Sequence, residues 1–244
     1  MITANYPRQF RDTTPLYMQV ARKLMQDLRD GRYQADQALP AERLLSEQLD
    51  ISRVTARKAI DQLVEQGLVV RKRGSGNYVA PRIEQPLAQL SGFSEQLQQS
   101  GYRAGSTWLR RAMSSASGDE QQALGLAPGA RVARLERLRL ADDVVMAYEV
   151  TALPSTVLSR PDAVGGSLYE YLSRKGRQPV RALQKIRAMN ACADIAARLE
   201  VPVGRAVLFV TRTGFDAAGV AVELTHSWCR SDHYDLVAEM HRAA

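Results

Sequence analysis

The stretch from Leu39 to Val79, LPAERLLSEQLDISRVTARKAIDQLVEQGLVVRKRGSGNYV, constrains the fold more than any other part of the chain. Pro40 precedes a run in which Leu44, Leu45 and Leu49 fall at helical spacing. Ser52 then stands where its hydroxyl can accept from the free amides of a new first turn, and Ala56, Ile60 and Leu63 mark one buried stripe of the helix that follows. Gly67 stops that helix. Val69 and Val70, then Tyr78 and Val79, flank Gly74, Ser75 and Gly76, so two short strands turn around a tip that lacks bulky side chains. A further helix is expected upstream from Pro15, with Leu16, Val20, Leu24 and Leu28 four apart and Gly31 at its end. Three helices and a basic hairpin make a winged helix-turn-helix. That arrangement offers one helix and one loop to a duplex, so the partner it implies is double-stranded DNA.

The helix that starts at Ser52 has a second face. Arg53, Arg57 and Asp61 recur four apart away from the apolar stripe, with Thr55 and Lys58 beside them. A planar guanidinium can donate two hydrogen bonds to a guanine edge or to phosphate oxygens, and a helix fits the major groove. The wing adds Arg71, Lys72 and Arg73 directly before Gly74, where a slim tip can approach a phosphate or enter the minor groove. Taken singly, the helix reads as a solvated charged face and the wing as a plain basic hairpin. Their adjacency favours DNA.

Length and composition agree with this. The 244 residues suffice for one large domain or two ordinary ones, and 45% hydrophobic content supports a packed core. The formal charge of +7 favours polyanions without specifying one. Cys192 and Cys229 stand far apart with no CxxC spacing, which indicates neither a disulfide framework nor a zinc site; no metal or other cofactor is expected. The first residues lack a basic start followed by an apolar block, and no apolar run is long enough for a bilayer. A cytoplasmic protein with no membrane partner is the expectation.

Domain organisation follows from where the patterns change. The DNA-binding domain is expected over residues 1–80, a linker over 81–89 where Pro81 and Pro86 punctuate the chain, and a second domain over 90–244. In the second domain, alternation marks strands at Thr107–Met113, Val132–Leu140, Val144–Thr151, Val207–Thr213 and Val220–Trp228. Helical spacing interrupts them at Phe93–Gln99, Asp119–Leu124, Ser167–Arg174 and Cys192–Leu199. The fold class is α+β, an antiparallel sheet with helices packed on it.

Arg137 and Arg139 alternate with Leu138, so both project from the same face of one strand. Two guanidiniums that share a pocket repel unless an anion binds, and a phosphate bridging them would turn repulsion into charge-assisted hydrogen bonds. Surface arginines paired with Glu136 or Asp142 are the competing reading. Further phosphate donors are expected where helices begin, at Ser94 after LSGF and at Ser167 after Gly165 and Gly166.

The segments LPAERLLSEQL, DISRVTARKAIDQLVEQGLV and RGSGNYV resemble the N-terminal domain of the GntR family of bacterial transcription regulators. By that resemblance Arg43, Ser52, Arg53, Thr55, Arg57 and Gly74 meet DNA, with Arg43 on backbone phosphate. Arg73 of the wing joins them as a basic neighbour. The segments RLERLRLADDVVMAYEVTALP and VELTHSWCRSDHYDL are similar to the UTRA effector domain of the HutC branch, whose fold is similar to chorismate lyase. Among such regulators, SLYEYL and WCRSDHYDLVAEM look closest to those of N-acetylglucosamine use. The resemblance implies that Glu149, Tyr169 and Glu223 face a sugar, and that Cys229, on the Glu223 strand face, stands where the subgroup often has tyrosine.

The resemblance therefore implies a homodimeric repressor on a near-palindromic operator, released by N-acetylglucosamine 6-phosphate or glucosamine 6-phosphate. Two alternatives stand beside it: a regulator of this branch that senses another small anion, and a lyase-like enzyme. His226, His233 and His241 carry no metal-ligand spacing and no recognisable nucleophile, which argues against the enzyme.

Overall fold

The computed structural model describes residues 14–240, apart from 73 and 82. It contains two compact units, one ending at Arg82 and the other beginning at Ile83. In the first, helix α1 (Leu16–Arg29), α2 (Glu42–Leu49) and α3 (Arg53–Glu65) pack with strands β1 (Val69–Lys72) and β2 (Gly76–Val79), which pair antiparallel. The core is the stripe read from the sequence: Val20, Leu24, Leu45, Leu49, Ala56, Ile60 and Leu63 are buried together with Val69 and Val79. Two leucines expected in the core are instead on the surface. Leu16 is 41% and Leu44 42% exposed. Leu16 occupies the first turn of α1, and Leu44 precedes the inward Leu45 by one residue, or about 100° around α2.

In the second unit a six-stranded sheet runs in the order β4 (Ala104–Ser115), β5 (Arg131–Ala141), β6 (Val144–Pro154), β9 (Ala221–Arg230), β8 (Ala206–Phe215) and β7 (Arg181–Asn190), every neighbouring pair antiparallel. Helices α4 (Phe93–Gln99) and α6 (Leu168–Arg174) lie against one set of inward side chains. Helices α5 (Gly118–Leu124) and α7 (Ala193–Leu199) pack on the alternate set, which includes Tyr148, Val150, Leu224 and Trp228. Period-two alternation along β5, β6 and β9 thus separates a face that holds Arg137, Glu149 and Thr225 from one that holds aromatic and aliphatic packing.

The segment expected as a linker is in part a strand. β3 (Ile83–Pro86) pairs in parallel with β10 (Tyr234–Val237), so Ile83 and Gln85 are buried in the second unit rather than spanning between units. Strand β7 is a further element that alternation did not reveal. It closes one sheet edge, and an exposed Leu183 beside a half-buried Gln184 inverts the apolar pattern there. Among the described residues no helix is long and apolar enough to cross a membrane.

Candidate DNA-reading face and effector pocket

Ser52 opens α3, and its side chain accepts from the Thr55 amide at 3.0 Å while the two hydroxyls lie 2.8 Å apart. This cap points the first turn outward, so Arg53 and Arg57 stand in solvent above the buried stripe. A cleft between α2, the start of α3 and the wing gathers Arg43, Arg53 and Arg57 with Ser75, Gly76 and Asn77. Three of the arginines anticipated from the sequence therefore share one surface with the wing strand. Acidic neighbours hold two of them: Arg57 Nε donates to Glu42 at 3.0 Å, and Arg43 Nη1 to Glu47 at 3.0 Å. Asp61, expected on the same face, pairs with Arg71 and ties α3 to the wing. Gly74 at the tip has φ +75, a backbone conformation that side-chain-bearing residues rarely adopt, and open space around it. Arg73 lies outside the described residues.

The second site is built in rows across the sheet. Strand register sets Ser106, Arg139, Ala147 and Cys229 side by side. The next row is Trp108, Arg137, Glu149 and Ser227, and Thr151, Thr225 and Arg212 follow. Arg137 and Arg139 are only 4% and 2% exposed, which overturns the surface-arginine alternative. Their partners are inward ones: Arg137 Nη2 lies 2.5 Å from Glu149 Oε1, and Arg139 donates to Ser106 Oγ at 2.6 Å, Ser94 Oγ at 3.0 Å and the Gly166 carbonyl at 3.2 Å. Arg137 also lies over the Trp108 ring and Arg139 over Phe93. Glu136 and Asp142 serve elsewhere, the former beside Arg110 and the latter accepting from the Arg103 amide.

Two donors in this site have no hydrogen-bond partner among the described residues, Arg137 Nη1 and Arg139 Nε, and both are buried. A buried, unanswered N–H of a charged group is costly, so such donors mark where an acceptor belongs. Burial, with Arg137 close by, lowers the Arg139 pKa to about 9, still cationic at neutral pH. Burial works against charge on Glu149 too, but Arg137 and Arg139 outweigh it and hold the carboxyl below its ordinary range.

Ser94, Arg137, Arg139, Glu149, Ser167, Tyr169 and Glu223 all line one pocket. Ser167 caps α6 by accepting from the Glu170 amide at 3.3 Å. Cys229 is placed differently. It lies in an adjoining hollow with Ala147, Ser227 and Tyr234, and burial pushes its thiol up to about 12, so it is a packing residue rather than a reactive one. Arg212 escaped the sequence reading although it borders both hollows, donating to Gln184 Oε1 at 2.9 Å and to the Ser91 carbonyl at 3.2 Å. A lone arginine between Thr211 and Thr213, following an apolar run, was its signal. Its place beside Glu223 and Thr225 depends on pairing between β8 and β9 that no local pattern encodes.

A basic winged helix-turn-helix joined in one chain to a separate pocket of buried arginines defines a ligand-responsive, DNA-binding transcription regulator. Residues 16–79 match the family model for bacterial regulatory proteins of the gntR family, and residues 99–235 match that for the UTRA domain. The chain belongs to the GntR family, in its HutC branch with a UTRA effector domain, and it is a regulator rather than an enzyme. It is 32% identical over 232 residues to the HTH-type transcriptional repressor NagR of Bacillus subtilis, covering 93% of this chain and 96% of that protein. Against the HTH-type transcriptional regulator GgaR of Escherichia coli it is 30% identical over 228 residues, or 93% and 92% of the two chains. The crystal structure of PhnF from Mycobacterium smegmatis superimposes with a TM-score of 0.64 at 28% identity, covering 94% of this chain and all of that one.

Proposed function

We propose that this regulator is a homodimeric repressor that binds a near-palindromic DNA operator and is released by an amino-sugar phosphate. The effector in this reading is N-acetylglucosamine 6-phosphate or glucosamine 6-phosphate, and the controlled genes serve amino-sugar uptake and catabolism. The observation that carries it is the pair of buried guanidiniums, Arg137 and Arg139, each with an N–H lacking an acceptor. A phosphate monoester supplies oxygens at the geometry a guanidinium fork matches, with Ser94 and Ser167 as neutral donors beside it. Glu149, Tyr169 and Glu223 then face the sugar. The choice of an amino sugar among phosphorylated ligands rests on the resemblance of SLYEYL and the terminal segment to regulators of N-acetylglucosamine use.

On the operator, Arg53 and Arg57 read base edges and backbone at each half-site. Arg43, Ser52, Thr55 and the wing residues Arg73 and Gly74 hold phosphate and register. Two heads one helical turn apart require a dimer. The ten-residue edge strand β7, with Val180 64% and Leu183 54% exposed at its start, supports self-association through the effector unit.

A thermal-shift comparison of phosphorylated amino sugars with their unphosphorylated parents tests the effector class, since a ligand of the folded state raises its apparent stability. A shift with the phosphorylated sugars alone is expected. Arg139→Ala should abolish that shift and the release from operator while leaving operator affinity within about twofold, because coupling between the sites rests on ligand contacts that the head does not share. Release by sugar phosphate that persists in Arg139→Ala would remove the pocket assignment.

A further inference from the structure

Glu223 is the least expected group in the pocket. It is 1% exposed, it sits on β9 opposite Gly214 of β8, and Tyr169 Oη from α6 donates to its Oε1 at 2.5 Å. A Cβ at position 214 would lie 2.7 Å from Glu223 Cγ and 2.8 Å from Oε1. The carboxyl therefore rests directly on the β8 backbone, in a seat that glycine alone leaves open. Arg212 faces it from β8, Glu149 from β6 and Arg137 from β5. None of these forms the close ion pair with Glu223 that Arg137 forms with Glu149.

Charge counting gives this seat a purpose. The guanidiniums of Arg137, Arg139 and Arg212 against the Glu149 carboxylate leave two net positive charges in the pocket, which balance the dianion of a phosphate monoester. Ionised Glu223 would leave one. That smaller remainder balances a phosphate dianion whose sugar also carries an ammonium.

We propose that Glu223 fits the pocket to the charge of its ligand by one proton, remaining a neutral acid beside an uncharged arm and becoming a carboxylate beside an ammonium. The inference rests on the reading of the site as a receptor for amino-sugar phosphates and assigns the residue that tells the acetylated sugar from the free amine. Burial, with Glu149 adding to it, raises the carboxyl to about 7 against the opposing pull of Tyr169, Arg212 and Arg137, so a small change in local charge moves the proton near neutrality. An ammonium within reach drives the carboxyl to its charged form and expels the proton to solvent. An acetamido group does not.

Calorimetric titration at pH 6 in buffers of different ionisation enthalpy counts the protons exchanged with each ligand. Both sugars carry the same phosphate, so its own proton release cancels in the difference between them. Glucosamine 6-phosphate is expected to release between about half a proton and one proton more than N-acetylglucosamine 6-phosphate. In Glu223→Gln that difference should vanish in titrations carried to saturation, even where affinity for either ligand falls. Tyr169→Phe should keep the difference and move its midpoint to higher pH, because the lost hydroxyl favoured the carboxylate; a residue with a purely packing role would not shift it. Equal proton counts for the two sugars in the unmodified protein would overturn the inference and leave the effector class standing. If neither sugar phosphate binds, the amino-sugar reading fails, and 2-aminoethyl phosphate and ethyl phosphate decide the role of Glu223: more protons released by the unmodified protein than by Glu223→Gln with the former, and no such excess with the latter, upholds it. Absence of the excess with the former, or no group titrating near neutrality in the unmodified protein relative to Glu223→Gln, rejects it.

Discussion

Arginines serve both units of this regulator under opposite physical conditions. In the DNA-binding unit Arg43 and Arg57 are about two-thirds exposed, and each leans on a glutamate at 3.0 Å. In the effector unit Arg137 and Arg139 are walled in, fixed by Glu149, Ser94, Ser106 and a backbone carbonyl, and stacked over aromatic rings. An exposed pair contributes only about 0 to 1 kcal/mol, so Arg57 can exchange Glu42 for a phosphate at little cost. A buried pair is strongly committed, because removing one member strands the other. The head is thus built to trade partners along many DNA sequences. The pocket is set before its ligand arrives, and it spends little on ordering when binding occurs.

The sharpest way to break this contrast is Arg137→Met, which leaves the Glu149 carboxylate buried without its cation. The effector unit should lose about 3 to 5 kcal/mol in denaturant unfolding. A loss below about 1 kcal/mol would place Arg137 with the exposed arginines. Glu223 offers the next test, through pH. Its folded pKa near 7 lies above the ordinary 4.5, so the folded state holds a proton that the unfolded chain releases between those values. Its contribution is present below pH 4.5 and is lost as pH rises through 7, on the order of 3 kcal/mol. Relative to the unmodified protein, Glu223→Gln should flatten the stability profile across that window.

Arg53→Ala should weaken operator binding by about 1 to 3 kcal/mol at fixed salt with unchanged thermal unfolding, as expected of an exposed residue that contacts a base. A drop in stability of similar size would mean the side chain is structural. The smallest effect sharpens the comparison within the head itself: Ser52→Ala removes the α3 cap and should cost about 1 kcal/mol of stability, with operator binding falling only as far as the first turn frays.

How legible these features were depends on the range of the contacts behind them. The helices of the head follow from local spacing and from Ser52, and the shared face of Arg137 and Arg139 follows from a period of two along a single strand. Features that need two distant segments were hidden. Arg212 joins the pocket through β8 to β9 pairing, and Gln85 is buried because β3 meets β10. Prolines at 81 and 86 read as linker punctuation, although a short strand flanked by prolines is compatible with a sheet edge. Strand β7 was obscured because residue polarity does not follow its alternating burial, with Leu183 outward and Gln184 inward, as an edge position tolerates. Cys229 shares a strand face with Glu223, yet it stands six residues further along β9, beside the neighbouring hollow. Facing direction was readable, and lateral position was not.

The pairing of β3 with β10 also orders events during synthesis. Ile83 lies opposite Tyr234, so the first strand of the effector unit waits for a segment about 150 residues further along the chain to leave the ribosome. The head needs no such wait, since its helices and hairpin close among residues 16 to 80. A nascent chain should therefore display a folded DNA-binding head while its receptor is still open, and loss of β10 would yield a head that folds without a complete sensor.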